Sequence, residues 1–271
     1  MTEDRQQLTV HDLLQMKQRG ERIVTLTCYD ALFARLLDAA GVDVLLVGDS
    51  VNTVLAGAET TLSATLEQMI YHTKLVVRGA ERALVICDMP FMTYQVSTQE
   101  ALRNCGRVLA ETGCHAVKLE GGGAVADTVR ALVAVGIPVM GHLGLTPQSV
   151  HALGGYRVQG RDEDAALRLQ ADAAALAEAG AFAIVLELIP APLASRVTKA
   201  LAIPTIGIGA GPACDGQVLV LHDMLGLNEG FNPKFLKRYA TLAADVREAV
   251  GRFAAEVREG RYPGPEHSVA K

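Results

Sequence analysis

"VDVLLVGDS", residues 42–50, is a largely aliphatic and β-branched run that stops on a carboxylate and a hydroxyl, Asp49 and Ser50. Such a run reads as a strand covered on both faces, the condition of strands in a parallel sheet. Seven other segments share the pattern: "RIVTLTCYD" (22–30), "RALVICDMP" (82–90), "HAVKLEGG" (115–122), "IPVMGHLGL" (137–145), "AFAIVLELIP" (181–190), "IPTIGIGAG" (203–211) and "QVLVLHDML" (217–225). Helical patterns lie between them. "ALFARLLDAAG" stops at Gly41, "SATLEQMIYHTKLVVRGA" precedes the third strand, and "STQEALRNCGRVLAETG" opens on an N-cap serine and ends at Gly113. "DEDAALRLQADAAALAEAG" precedes the sixth strand. Strand and helix alternate throughout, which implies right-handed βαβ units. Eight of them predict a closed (β/α)8 TIM barrel over residues 1–271 as one domain, with additional terminal helices and a polar, mobile tail from about residue 260. An open doubly wound sheet is the competing architecture.

Bulk properties narrow the function. The chain has 271 residues, half of them hydrophobic, and a net charge of −5, so it can bury a large core and shows no basic character suited to nucleic acid. Aromatic residues are 4% and there is no Trp, which disfavours a base-stacking surface. The five cysteines form no CxxC pair, as expected in a reduced compartment. The start, "MTEDRQQLTVHDLLQMKQRG", lacks an apolar signal core, and no uncharged run reaches the roughly 18 residues of a membrane span. The expectation is a soluble cytoplasmic protein without membrane or nucleic-acid partners.

The strand ends carry the chemistry. The third expected strand ends in Asp88, the fourth carries Lys118 and Glu120 on one face, the fifth ends near His142, the sixth at Glu187 and the eighth at His222 and Asp223. In a barrel these ends meet at the C-terminal mouth, where active sites sit. Asp49, Asp88 and Glu120 form an all-oxygen donor set that suits Mg2+, which takes few protein carboxylates and completes its shell with water and substrate. The plainer reading is that each acid caps a loop or helix. Glu187, flanked by apolar residues, fits a general base, or else an ion pair with Lys118. His142 would orient substrate, relay a proton, or simply be a satisfied buried histidine. Ser50 lacks a nucleophile's context. "GIGAGPACDG" (207–216) is either a phosphate cradle or a tight loop. "HLGLTPQSVHALGGYRVQGRD" (142–162) is long for a barrel loop and reads as a flap over the site.

"LLVGDS", "CDMPFMTY", "VKLEGG", "GHLGLTPQSV", "GGYRVQGR", "IVLELIP" and "IPTIGIGAG", with "VLHDMLGL" and "YPGPEHS", resemble the ketopantoate hydroxymethyltransferase (3-methyl-2-oxobutanoate hydroxymethyltransferase) family from about residue 7 to 268. The resemblance implies a Mg2+-dependent enzyme of pantothenate biosynthesis, usually a homodecamer. It implies transfer of a one-carbon unit from 5,10-methylenetetrahydrofolate to 3-methyl-2-oxobutanoate. It also implies that Asp49, Asp88 and Glu120 hold or surround the metal, that Asp49, Ser50, Asp88 and Lys118 contact the oxo acid, and that Glu187 accepts the proton. After "GDS" the family usually continues Leu-Gly-Met, whereas this chain has Val51, Asn52 and Thr53. Two other readings compete: a Mg2+-dependent oxo-acid carbon–carbon lyase or phosphoenolpyruvate mutase-like enzyme, and a non-catalytic barrel that binds a small acid.

Overall fold

The structure, a computed structural model, describes residues 6–269, so the first five residues of the polar start and the last two of the expected tail lie outside the described residues. Eight parallel strands close a barrel in chain order: β1 (Ile23–Thr27), β2 (Val44–Val47), β3 (Leu84–Asp88), β4 (Ala116–Glu120), β5 (Val139–Gly144), β6 (Ala183–Glu187), β7 (Thr205–Ile208) and β8 (Gly216–Leu219). The helices are α1 (Val10–Arg19), α2 (Ala31–Ala39), α3 (Val51–Val54), α4 (Leu66–Val77), α5 (Thr98–Thr112), α6 (Ala126–Ala134), α7 (Glu163–Glu178), α8 (Ala191–Ala200), α9 (Leu221–Met224) and α10 (Leu242–Arg258). Closure excludes the open sheet, because β1 pairs with both β2 and β8.

The chain forms two compact units, Met1–Val220 and Leu221–Lys271. The first holds the barrel. Its interior is an apolar plug that includes Ile23, Val44, Leu46, Leu84, Ile86, Ala116, Met140, Ala183, Val185, Ile206 and Val218. Along each strand the inward positions alternate with residues that face the helices. Helix α1 sets Leu13 and Met16 against the same plug from the strands' N-terminal end. α5 shows how the outer layer is built. Ser97 accepts from the Glu100 N–H, Ala101, Cys105, Val108 and Thr112 are buried at helical spacing, and Gly113 closes the helix at φ 76.

The second unit corrects one expectation. The apolar run 217–225 is not one strand: β8 ends at Leu219 and residues 221–224 are helical, so His222 and Asp223 do not terminate a strand. Leu225 N–H donates to Leu221 O at 2.9 Å and Gly226, at φ 70, ends the turn. A short apolar run does not distinguish strand from helical turn, since both bury its side chains. Further on, Tyr262 folds back so that its N–H donates to Glu256 O at 3.2 Å and its ring meets Phe253 edge-on.

Candidate active site

Strand register assembles the site. Asp88 pairs with Lys118, Glu120 with His142, and His142 with Val185, two residues before Glu187. Register partners in a parallel sheet share a face, as do residues two apart. Asp88, Lys118, Glu120, His142 and Glu187 therefore all point inward, one layer above the apolar plug. At β2 the equivalent inward position is Gly48, where a Cβ would lie 2.7 Å from Ser50 Oγ. The strand stops there, and Asp49 comes from the following turn.

The distances define a chain of charges. Lys118 Nζ meets Asp88 Oδ1 at 2.6 Å and His142 Nδ1 at 3.1 Å. His142 Nδ1 is 3.5 Å from Glu120 Oε1, and its Nε2 faces Glu187 Oε2 across 3.2 Å. Asp49 N–H donates to Asp88 Oδ2 at 3.3 Å. Asp49, Asp88, Lys118, Glu120 and His142 are all buried, whereas the Glu187 side chain is 16% exposed. The charged partner of Lys118 is thus Asp88, and Glu187 turns to His142 instead. The Glu187 backbone is fixed from both sides. Leu145 N–H donates to its carbonyl at 2.9 Å, Gly144 packs against that carbonyl, and Leu188 next to it sits at φ 45.

Four acids surround one lysine and one histidine. Burial, then Asp88 and Glu120, pushes the Asp49 carboxyl well above its ordinary range. Burial raises Asp88 as well, even against Lys118. Burial opposes charge on Lys118, but Asp88, Glu120 and Asp49 outweigh it and hold the ammonium charged. Burial also opposes charge on Glu120, where the His142 hydrogen bond and the charges of His142 and Lys118 win and lower it. For His142, burial and Lys118 work against protonation while Glu120 and Glu187 favour it, and the balance lies at about 9. Burial therefore disfavours charge on the Asp49–Asp88 side, while on the Glu120–His142 side the partners outweigh it.

Two residues join this cluster that sequence reasoning did not single out. Gln148, in the 3-10 turn Pro147–Ser149 after β5, donates from Nε2 to Asp49 Oδ2 and to Met89 O, both at 2.9 Å. Its backbone N–H donates to Glu120 Oε2 at 3.0 Å. Tyr94, in the loop after β3, puts its hydroxyl 2.9 Å from Gln148 Oε1 and accepts from Glu120 N–H at 3.1 Å. Only the turn-forming Thr-Pro before Gln148 hinted that this segment is fixed.

The ketopantoate hydroxymethyltransferase family model matches residues 7–265. The chain belongs to that family. It is 56% identical to the 3-methyl-2-oxobutanoate hydroxymethyltransferase of Pelobacter propionicus over 99% of both chains. It is 57% identical to that of Trichlorobacter lovleyi, over 98% of this chain and 100% of the relative. Among solved structures it is similar in fold to 2,3-dimethylmalate lyase, of the PEP mutase/isocitrate lyase superfamily, with TM-score 0.61, 19% identity and coverage of 97% of this chain and 89% of the other. Phosphonopyruvate hydrolase in complex with oxalate and Mg2+ gives TM-score 0.60 and 13% identity over 96% and 93%.

Within this ketopantoate hydroxymethyltransferase fold, the departure at Val51-Asn52-Thr53 is accommodated by a helical turn, α3, which needs no glycine. Asn52 is buried and donates from Nδ2 to Thr60 O and Ser63 Oγ, both at 2.8 Å, tying down the segment that leads to α4. Ser50 precedes α3 and shares a 2.8 Å hydrogen bond with the Tyr29 hydroxyl, which suits a binding hydroxyl rather than a nucleophile. The loop 207–216 runs into β8 rather than a helix, and a Cβ on Gly211 (φ 83) would lie 2.5 Å from Ala191 Cβ. It is a tight packing loop without the helix N-terminus that a phosphate cradle uses.

The expected flap divides in two. Residues 142–150 are largely buried and hydrogen-bonded into the cluster, whereas 151–157 are mostly exposed. Tyr156 on the outer part is close enough to the acids that, after burial, Glu187, Asp49 and Glu120 raise its phenol.

The acids form a candidate cation site. Among the described residues no three His, Cys, Asp or Glu side chains converge as a ready-made metal cluster. Lys118 and His142 explain this, since they stand against Asp88 and Glu120. Mg2+ needs only one or two protein carboxylates. Asp49 and Asp88, adjacent, buried and pushed upward chiefly by that burial, provide that donor set. Glu120 Oε1 is buried beside them, facing only His142 Nδ1 at 3.5 Å. The residues fit a hard divalent cation.

Among the described residues no helix is long and apolar enough to cross a membrane.

Proposed function

We propose that this chain transfers a hydroxymethyl group from 5,10-methylenetetrahydrofolate to 3-methyl-2-oxobutanoate, forming 2-dehydropantoate in cytoplasmic pantothenate biosynthesis. The observation that carries the reading is the position of Glu187 at the open side of a buried acid–lysine cluster, in a chain 56–57% identical to enzymes of that name. Asp49 and Asp88, with Glu120 beside them, would hold Mg2+. The cation would supply charge stabilisation for the keto oxygen as C3 of the oxo acid loses its proton.

The other steps belong to the chain's own groups. Lys118 offers an ammonium to the substrate carboxylate, and the Ser50 hydroxyl lies on the same side of the mouth. Glu187 takes the C3 proton, and His142 Nε2, 3.2 Å away, accommodates the change in charge on that carboxyl. The buried floor excludes water beneath the substrate. The carbon nucleophile then attacks the methylene carbon of the folate, water supplies the hydroxyl, and tetrahydrofolate leaves. Assembly as a homodecamer belongs to the same proposal, by family resemblance alone.

Incubating the protein with 3-methyl-2-oxobutanoate and methylenetetrahydrofolate, with and without Mg2+, tests it. Product that needs both substrates and the cation is expected. Cleavage of a longer oxo acid with no folate requirement would replace this reading with the lyase.

A further inference from the structure

We propose that Gln148 is a positioning residue that clamps the carboxylates of Asp49 and Glu120 in the arrangement that receives the cation. The inference rests on the metal reading above. The amide is fully engaged. Its two N–H protons go to Asp49 Oδ2 and Met89 O, both at 2.9 Å. Its oxygen lies within reach of the Tyr94 hydroxyl at 2.9 Å and receives Gln95 Nε2 at 3.0 Å. The Met89 carbonyl can only accept, so the amide has one orientation. Its backbone N–H reaches the second carboxylate, Glu120 Oε2, at 3.0 Å.

This arrangement decides which oxygen of each acid remains for another partner. Gln148 occupies Oδ2 of Asp49 and Oε2 of Glu120. Glu120 Oε1 is left buried, with only His142 Nδ1 facing it at 3.5 Å. Apolar packing would fill the same volume without the demand for four satisfied bonds, since a buried amide is costly unless all are made. What an apolar side chain does not supply is orientation of Asp49, which comes from a turn rather than a strand and so lacks the register that fixes Asp88 and Glu120. Gln148 is not placed to take the substrate proton. It acts through the acids, as outer partners of metal-binding carboxylates do.

The test uses the full chain and Mg2+ alone. Gln148→Met keeps the volume and the backbone N–H but removes the amide. Gln148→Asn keeps the amide one methylene short of spanning Asp49 and Tyr94. Both are expected to weaken Mg2+ binding roughly 10–100-fold by calorimetry, the usual effect of losing such a partner. They should also lose the Mg2+-dependent rise in Tm while unfolding in chelator within a few degrees of wild type. Wild-type Mg2+ affinity in either variant, with only a lower Tm in chelator, would reduce Gln148 to packing and overturn the clamp alone. No Mg2+ binding by the wild type would overturn the metal reading and the clamp with it. If Gln148→Met does not fold, Tyr94→Phe, which frees the far side of the amide, carries the test. A weakening of a few-fold supports the clamp and unchanged affinity refutes it.

Discussion

Both ends of the barrel set a lysine against an aspartate, half-buried at one end and buried at the other, and the two pairs differ in how their charges are satisfied. At the N-terminal end Lys17 Nζ meets Asp215 Oδ2 at 2.8 Å and also donates to Thr198 O at 3.0 Å. Asp215 Oδ2 further accepts Thr205 N–H at 2.8 Å. One cation faces one anion, and the remaining bonds go to backbone and to the Thr205 hydroxyl, 3.2 Å from Asp215 Oδ2. At the C-terminal end Lys118 faces Asp88, while Asp49 and Glu120 add negative charge and Asp49 and Asp88 are driven upward. A balanced pair holds the fold. An unbalanced cluster is stable only as far as the fold enforces it, and that makes it ready for a cationic or anionic ligand.

The largest effect should come from the open side of the unbalanced end. Glu187→Gln keeps the shape and removes the base. Exchange of the C3 proton of 3-methyl-2-oxobutanoate with deuterated water should fall by roughly 10²–10⁴-fold. Because exchange needs no folate, it isolates proton removal. Oxo-acid binding and Tm should stay near wild type, and exchange at the wild-type rate would move the base to another group, with His142 first in line.

The balanced end should behave oppositely. Lys17→Met breaks the Lys17–Asp215 pair, whose side chains are 14% and 17% exposed. Loss of charged hydrogen bonds of this kind costs about 1.5–3 kcal/mol of stability. Denaturant unfolding should show it, while turnover per folded molecule is unchanged. A drop in kcat without a stability change would erase the distinction between the ends.

The two ends also differ in how far the sequence discloses them. Asp88, Lys118, Glu120, His142 and Glu187 lie on strands whose apolar runs mark them, and period two with parallel register carries them to one mouth. The barrel followed from the same runs. Gln148 and Tyr94 lie on irregular segments, where neither composition nor spacing reveals which amide or hydroxyl is buried. The strands are shorter than their apolar runs, because the runs continue past the last ladder bond into buried turns such as Gly48–Asp49. The Lys17–Asp215 pair spans most of the barrel sequence and carries no local signal at all.

A smaller effect sharpens the view of the turn after β2. Asn52→Gly restores the residue the family usually carries. It removes two half-buried hydrogen bonds, to Thr60 O and Ser63 Oγ, and places glycine in a helical turn. A loss of about 1–2 kcal/mol is expected, since freed partners near the surface rehydrate. Activity should be retained, because the family's own pattern tolerates glycine there. If Mg2+ affinity fell with stability, Asn52 would belong to the acid cluster rather than to the segment it ties down.

The smallest expected effect lies in a histidine at the balanced end. His115, just before β4, is half-buried, and burial pushes its pKa below the ordinary value, the reverse of His142 on the neighbouring strand. Its Nδ1 accepts the Val85 N–H at 2.9 Å, which requires that nitrogen unprotonated. Its Nε2 lies 2.6 Å from Gln7 Nε2. The unfolded chain therefore binds a proton here at a higher pH than the folded chain does. Stability from this site is complete above the unfolded value of about 6.5 and declines as pH falls below it, until the folded imidazole also protonates. Tm measured from pH 7.5 down to 5.5 should fall in the wild type and fall less steeply in His115→Gln, which has no proton to take up. Parallel Tm profiles for the two proteins would mean that the burial of His115 does not couple to folding, and that the acid sensitivity of the fold belongs elsewhere.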